Sequence, residues 1–274
     1  MTDKEKECTE LVEKSKEIVR EVFKKFKVDD LAITWTGGKD STLTLWIIRQ
    51  VCLEDGVKLP KVMTIDEYDS FEEIHDFINK YAKEWNLDLE WCRNDDVIKA
   101  AGGKLNAIVK VKDLNERNRA ELKRIGFEEE TFPFEAESYT GNHLMKTVMF
   151  NMYIERHNVK GIFQGLRRDE QTARVQDDYF EEKEAAHLIP EHVRIKPILH
   201  FTERALWNTY QVYKIPYCIL YEQGYRSLGA KTTSAIAEPG VSAWEQDLEH
   251  TTERAGRRQD KEKMMKRLRK LGYM

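Results

Sequence analysis

No apolar run in this chain approaches the roughly 20 residues that a membrane-spanning helix needs. The opening MTDKEKECTE is charged where a secretory leader is hydrophobic. A cytoplasmic protein without a membrane segment is therefore expected. Cysteine is scarce: Cys8, Cys52, Cys92 and Cys218 are isolated, with no CxxC pair and no metal-ligand spacing. That argues against a disulfide framework, a zinc ribbon or a metal held by protein ligands alone. Neither sign of charge dominates. Charged residues make up 34% of the 274, both signs are interspersed and the net charge is −4, so no global attraction to nucleic acid or to an anionic membrane follows. The Walker A spacing is also missing, which excludes ordinary kinase or GTPase chemistry.

What the chain does have is a turn. An uncharged run over 31–35 stops at Thr36-Gly37-Gly38-Lys39-Asp40-Ser41, and Leu43, Leu45, Trp46, Ile47 and Ile48 follow at helical spacing. Strand, glycine turn and helix make a phosphate site in outline. Glycines let backbone N–H groups turn toward an anion, the helix start adds its positive dipole end, and Lys39 adds a full charge.

Elsewhere the patterns alternate. An amphipathic helix is predicted over 3–28, strands over 61–66 and 88–93, and between them a helix over 70–85 capped by Ser70 with Glu73 three residues on. Residues 95–140 have no single period and are predicted to be an insertion with a helix near 114–125. A helix follows from Asn142, then a strand over 161–164, an acidic loop over 176–192, a strand over 193–199 and a helix over 202–213. Residues 259–271 read as a basic helical tail. The alternation predicts an α/β fold: a Rossmann-like, twisted parallel sheet flanked by helices, with ligands beyond the carboxyl ends of its strands. The predicted organisation is an N-terminal helix over 1–28, the nucleotide-binding α/β domain over 29–215 and a smaller C-terminal segment over 216–274, closing over the second substrate. A second rim loop, Gly165-Leu166-Arg167-Arg168-Asp169-Glu170, opens on the same edge as the glycine turn. Arg167, Arg168 and, a few residues on, Arg174 are candidate anion clamps.

TGGKDS resembles the SGGxDS signature of the N-type ATP pyrophosphatases, or PP-loop enzymes. With TIDEYDSFEEIHDF, HLMKT, GLRRDEQTAR and RIKPILHFTERALW it resembles the phosphoadenosine phosphosulfate reductase family, which includes the small subunit of bacterial ATP sulfurylase and the adenylyltransferase domain of FAD synthase. LMKT, GLRRDE and the C-terminal TTERAGRRQDKEKMMKRLRKLGYM are similar to the sulfurylase subunit; IPYCILYEQGYRSLG is similar to FAD synthase. The resemblance implies the adenine nucleotide alpha hydrolase-like fold and adenylyl transfer from ATP with Mg²⁺. Sulfate is the first-choice acceptor and FMN the alternative; a GTPase large subunit as partner is also implied, and separately a homo-oligomer is expected. Thr36, Gly37, Gly38, Lys39, Asp40 and Ser41 would hold the phosphates, Asp66 would lie beside adenosine, and Lys39, Arg167 and Arg168 would act in catalysis with Gly165 and Arg174 completing the site. Reductases of the family use a C-terminal cysteine, and this chain has Ala230 after its Ser227-Leu228-Gly229 turn and no cysteine beyond Cys218. Without a thiol the thiosulfonate step cannot occur. A cysteine-less reductase homologue and a tRNA-modifying PP-loop enzyme remain as further alternatives; no nucleic-acid partner is expected.

Overall fold

The computed structural model describes residues 1–135, 138–170, 174–251 and Glu253. The basic tail expected over 259–271 lies outside the described residues.

The chain begins with α1 (Asp3–Lys25), started by a reciprocal capping box. The Thr2 hydroxyl accepts from Glu5 N–H at 3.2 Å and the Glu5 carboxylate accepts from Thr2 N–H at 2.7 Å. Its stripe of Val12, Ile18, Val19 and Val22 is buried, each such side chain contributing roughly 1.5–3 kcal/mol by leaving water. Then come β1 (Leu31–Thr34), α2 (Lys39–Asp55), β2 (Lys61–Ile65), α3 (Glu72–Glu84) and β3 (Leu89–Cys92). The expected Ser70 cap is not made: α3 starts from Phe71, whose side chain is buried and makes no capping hydrogen bond. Here the burial of an aromatic ring fixes the helix entry.

The segment after β3 is more than an uncharacterised insertion. It contains α4 (Asp95–Ala100), β4 (Ile108–Lys110), α5 (Glu116–Arg124) and β5 (Thr131–Pro133), and β4 and β5 form an antiparallel hairpin. Val109, Leu122, Phe132 and Phe134 pack with Leu144, Met145 and Val148. The helix expected near 114–125 is α5, whereas α4 and the two three-residue strands are too short to show a period and are missed by sequence patterning. The chain continues through α6 (Tyr139–Asn142), one π-helical turn at His143–Thr147 and α7 (Val148–His157).

The last strands are β6 (Gly161–Phe163), β7 (Phe180–Lys183) and β8 (His192–Ile195), followed by α8 (Glu203–Tyr213). The six-stranded sheet has the order β3-β2-β1-β6-β8-β7, parallel except for β7, which runs antiparallel at the edge. Residues 176–192, expected to be a loop, therefore contain an edge strand. Its sequence, FEEK, is charged, as an exposed edge position tolerates. The strand expected over 193–199 stops at Ile195, two residues before Pro197.

From β1 the chain first moves outward through β2 and β3, then returns to place β6 on the other side of β1. The strand order thus reverses between β1 and β6, and at such a reversal open sheets form a ligand crevice beyond the carboxyl ends of their strands. Both motif loops leave the sheet there.

Candidate functional site

The first wall of the crevice is the glycine turn. Gly37 has φ +71°, a left-handed conformation that favours glycine. Gly38 is the N-cap of α2. The Ser41 hydroxyl donates to the Gly38 carbonyl at 3.1 Å and accepts from Thr36 N–H at 3.1 Å, so the turn is closed on itself. Two buried tyrosines hold it from α8 and the segment that follows. The Tyr210 hydroxyl donates to the Lys39 carbonyl at 2.5 Å, and the Tyr221 hydroxyl accepts from Lys39 N–H at 2.8 Å.

The second wall is the loop after β6. A Cβ at Gly165 would meet Asp40 C and O at 2.6 Å, so only glycine lets the two loops come this close. Arg167, 0% exposed, reaches across the gap. Its Nε lies 2.6 Å from Asp40 Oδ1, Nη1 is 3.5 Å from Asp169 Oδ1, and Nη2 pairs with Glu253.

Lys39 meets Arg167 on that same Glu253 carboxylate. Its Nζ is 2.5 Å from Glu253 Oε1, 3.6 Å from Glu203 Oε1 and 3.8 Å from Asp40 Oδ2, and it donates to the Arg226 carbonyl at 2.9 Å. Arg226 forms a two-bond pair with Glu203, with Nε and Nη2 at 3.0 and 2.8 Å from Oε2 and Oε1 also within 3.2 Å of Nε. Burial opposes charge on Lys39, but Glu253, Asp40 and Glu203 outweigh it and hold the ammonium pKa above its ordinary value. For Asp40 burial wins over Arg167 and Lys39, and its carboxyl is pushed up to about 6. Burial also favours the neutral acid at Glu253, yet Lys39 and Arg167 overcome it and keep the pKa below the usual carboxylate range.

The other expected residues take different places. Arg168 leaves the cluster: its guanidinium donates to the Asp177 carbonyl at 3.0 and 3.2 Å and lies 5.3 Å from the centre of the Tyr179 ring. Arg174 pairs with Glu170. Asp66, at the end of β2, accepts from Tyr68 N–H at 2.8 Å and has Arg93 3.7 Å away. It shares the rim but has no contact with Lys39 or Arg167. Glu203, Arg226, Glu253, Tyr210 and Tyr221 were not expected from their own patterns. They come from segments 160 or more positions after the turn; Glu203, Tyr221, Arg226 and Glu253 fall within the motifs RIKPILHFTERALW, IPYCILYEQGYRSLG and TTER that carry the family resemblance, whereas Tyr210 lies in none of them. Gln164, also not expected, is 2% exposed, and both polar atoms of its amide lack a partner among the described residues.

All four cysteines are free and buried. Burial pushes the Cys218 thiol up to about 11, so it carries little thiolate near neutrality. No helix among the described residues is long and apolar enough to cross a membrane.

Several known proteins resemble this chain in sequence or in fold. The sulfate adenylyltransferase subunit 2 of Pseudomonas savastanoi pv. phaseolicola is 25% identical over 99% of this chain and 83% of its own length. A phosphoadenosine 5'-phosphosulfate reductase of Xanthomonas oryzae pv. oryzae is 33% identical, but over only 36% of this chain and 39% of its own. Among solved structures, the FMN adenylyltransferase of Candida glabrata superposes with a TM-score of 0.63 at 18% identity, covering 92% of this chain and 88% of that one. The PAPS reductase of Candida auris does so at 0.56 and 15%, covering 86% and 98%. These confirm the expected fold of a mostly parallel sheet between helices. The phosphoadenosine phosphosulfate reductase domain model matches residues 30–236, and the chain belongs to that family.

Proposed function

We propose that this chain is an adenylyltransferase: it binds ATP across the β1/β6 crevice and directs an anionic acceptor, sulfate in the first instance, onto the α phosphorus. One observation carries the reading. Lys39 and Arg167, from the two loops of a topological switch point, converge on a single carboxylate, the arrangement needed to seat a bridging oxyanion. Two of the proteins it resembles, a sulfate adenylyltransferase subunit and an FMN adenylyltransferase, support the same chemistry.

In the reaction an acceptor oxygen forms a bond to the α phosphorus, the bond from that phosphorus to the α–β bridging oxygen breaks, and pyrophosphate departs with the electron pair. Sulfate is already ionised, so no strong general base is needed. Lys39 and Arg167 would neutralise charge that develops on the leaving pyrophosphate, and the Thr36–Ser41 turn with the start of α2 would fix its oxygens. Fixed in position by Tyr210, Tyr221 and Gly165, these groups need little rearrangement.

Charge balance bears on Mg²⁺. Lys39, Arg167 and Arg226 face four carboxylates, Asp40, Asp169, Glu203 and Glu253. Phosphates can enter only if a carboxylate withdraws or a divalent cation arrives with them. Asp40, at the mouth of the turn, offers a hard carboxylate oxygen and would be the residue to hold such an ion. When bound, the ion would supply charge neutralisation on the phosphates.

The relative's designation as subunit 2 supports a larger assembly. A GTPase large subunit is the partner we propose.

The test is pyrophosphate release from ATP and Mg²⁺ in the presence of sulfate, molybdate, FMN or no acceptor, by the chain alone and with a large subunit. Stimulation by sulfate and molybdate supports the reading; stimulation by FMN alone replaces the acceptor; no stimulation by any acceptor refutes adenylyl transfer.

A further inference from the structure

Strands alternate their side chains between faces, and on β6 the two faces have different neighbours. Ile162 packs with Phe150, Tyr153 and Ile154 of α7, whereas Phe163 belongs to the core formed with α1 and α2. Gln164 N–H still bonds to the Ile195 carbonyl at 2.8 Å, so the extended register continues. Its side chain thus falls on the α7 face, the same face as Thr34, its neighbour on β1 by continuation of the ladder. The charged cluster is held from the other side, by α8 and by Tyr221.

Only 2% of the Gln164 surface is exposed, and neither amide atom has a hydrogen-bond partner among the described residues. Leaving one buried polar group unsatisfied costs about 1–3 kcal/mol, so an amide with both atoms unmatched, at the end of a strand beside a ligand crevice, needs a partner from outside the chain. Thr147, in the π-helical turn that precedes α7, is 4% exposed and also has an unpartnered hydroxyl. It stands three residues before Phe150 and seven before Ile154, both of which pack with Ile162 on the sheet.

An anion would use only the amide N–H₂ and would repel the carbonyl. A group with one donor and one acceptor side by side satisfies both, and a primary amide forms such a paired contact with the amino group and ring nitrogen of adenine. Resting on the ATP reading above, we infer that Gln164 is a specificity-determining residue that reads the adenine edge, while Lys39 and Arg167 take the phosphate end.

Isothermal titration of the full chain with Mg²⁺-ATP, with the triphosphate of purine riboside, which lacks the amino group, and with pyrophosphate tests this. The wild type is expected to bind ATP about tenfold more tightly than purine riboside triphosphate, in line with one good paired contact to a base. Gln164→Met should lose about that factor for ATP, bind purine riboside triphosphate within about twofold of wild type, leave pyrophosphate affinity unchanged, and unfold no earlier than wild type without nucleotide, because it breaks no internal hydrogen bond. Unaltered ATP affinity in Gln164→Met overturns the inference. So does an equal loss for both nucleotides, which would put the amide on another part of the ligand, or a lowered unfolding midpoint without nucleotide, which would make its role structural. A wild type that binds neither ATP nor pyrophosphate removes the ATP reading itself, an outcome distinct from the others.

Discussion

A methyl group on Gly165 would lie 2.5 Å from the backbone nitrogen of Ser41. Two loops from different strands are thus in contact through bare backbone, and that contact sets the distance at which Arg167 faces Lys39. Gly165→Ala must push the loops apart. It is expected to destabilise the fold by ~2 kcal/mol or more, the range for overpacking, and to lower acceptor-stimulated turnover at least about tenfold in the fraction that remains folded. Denaturant titration and the pyrophosphate-release assay measure the two effects.

Removing a clamp separates Arg167 from its neighbour. Lys39→Ala and Arg167→Ala are each expected to reduce turnover at least about tenfold, or about 1.4 kcal/mol of transition-state stabilisation. Arg168→Ala, whose guanidinium lies on Tyr179 and the Asp177 carbonyl, should change it less than about threefold. Steady-state kinetics on the three variants decide whether only one arginine of the pair acts in the site; a large effect of Arg168→Ala would assign the second one as well.

Glu253 occupies the place proposed for a phosphate oxygen. Glu253→Gln keeps the shape and removes the charge, so it should tighten pyrophosphate and ATP binding, by about threefold to tenfold. A weaker affinity would mean that the carboxylate holds the cations in place and does not compete for them. Equilibrium binding at fixed ionic strength gives the sign.

Acid should weaken the fold through its buried histidines. Burial depresses His192 to about 4, and its neutral form is fixed by two contacts: Nδ1 lies 2.8 Å from the Pro190 carbonyl, and Nε2 accepts from Arg194 at 3.3 Å. A depressed histidine favours the folded state fully above its unfolded pKa of about 6.5 and loses that contribution as the pH falls toward about 4. Asp40 has the opposite sign: its carboxyl is raised to about 6, so its contribution is greatest in acid and is lost as the pH rises through that value. His192→Gln should therefore flatten the fall in stability between about pH 6.5 and pH 4, measured by urea titration at intervals across that window.

The sheet was legible because long amphipathic helices alternate with short apolar runs, and the glycine turn because Gly37 and Gly38 interrupt one such junction. Arg167 could be picked out from its position at a strand end, but nothing in the local sequence distinguishes it from Arg168: adjacent residues in a loop diverge, and only the surrounding structure decides which one enters the crevice. β7 was hidden because an edge strand needs no hydrophobic pattern. The hairpin of β4 and β5 was hidden because three-residue strands carry no periodicity. Glu203, Arg226 and Glu253 reach Lys39 only through tertiary folding, and Gln164 stands out only through its burial without a partner, a property that a sequence does not contain.

The central claim is that the crevice grips the outer phosphates of ATP while the α phosphorus is transferred. ATP labelled with ³²P at the γ position tests it most directly, incubated with the chain, the proposed large subunit, Mg²⁺ and sulfate, with the products separated by chromatography. The account predicts that the label leaves in pyrophosphate and that the same reaction with α-labelled ATP places the label in an adenylyl–acceptor anhydride. Label released from the γ position as orthophosphate, with ADP as the other product, would contradict it.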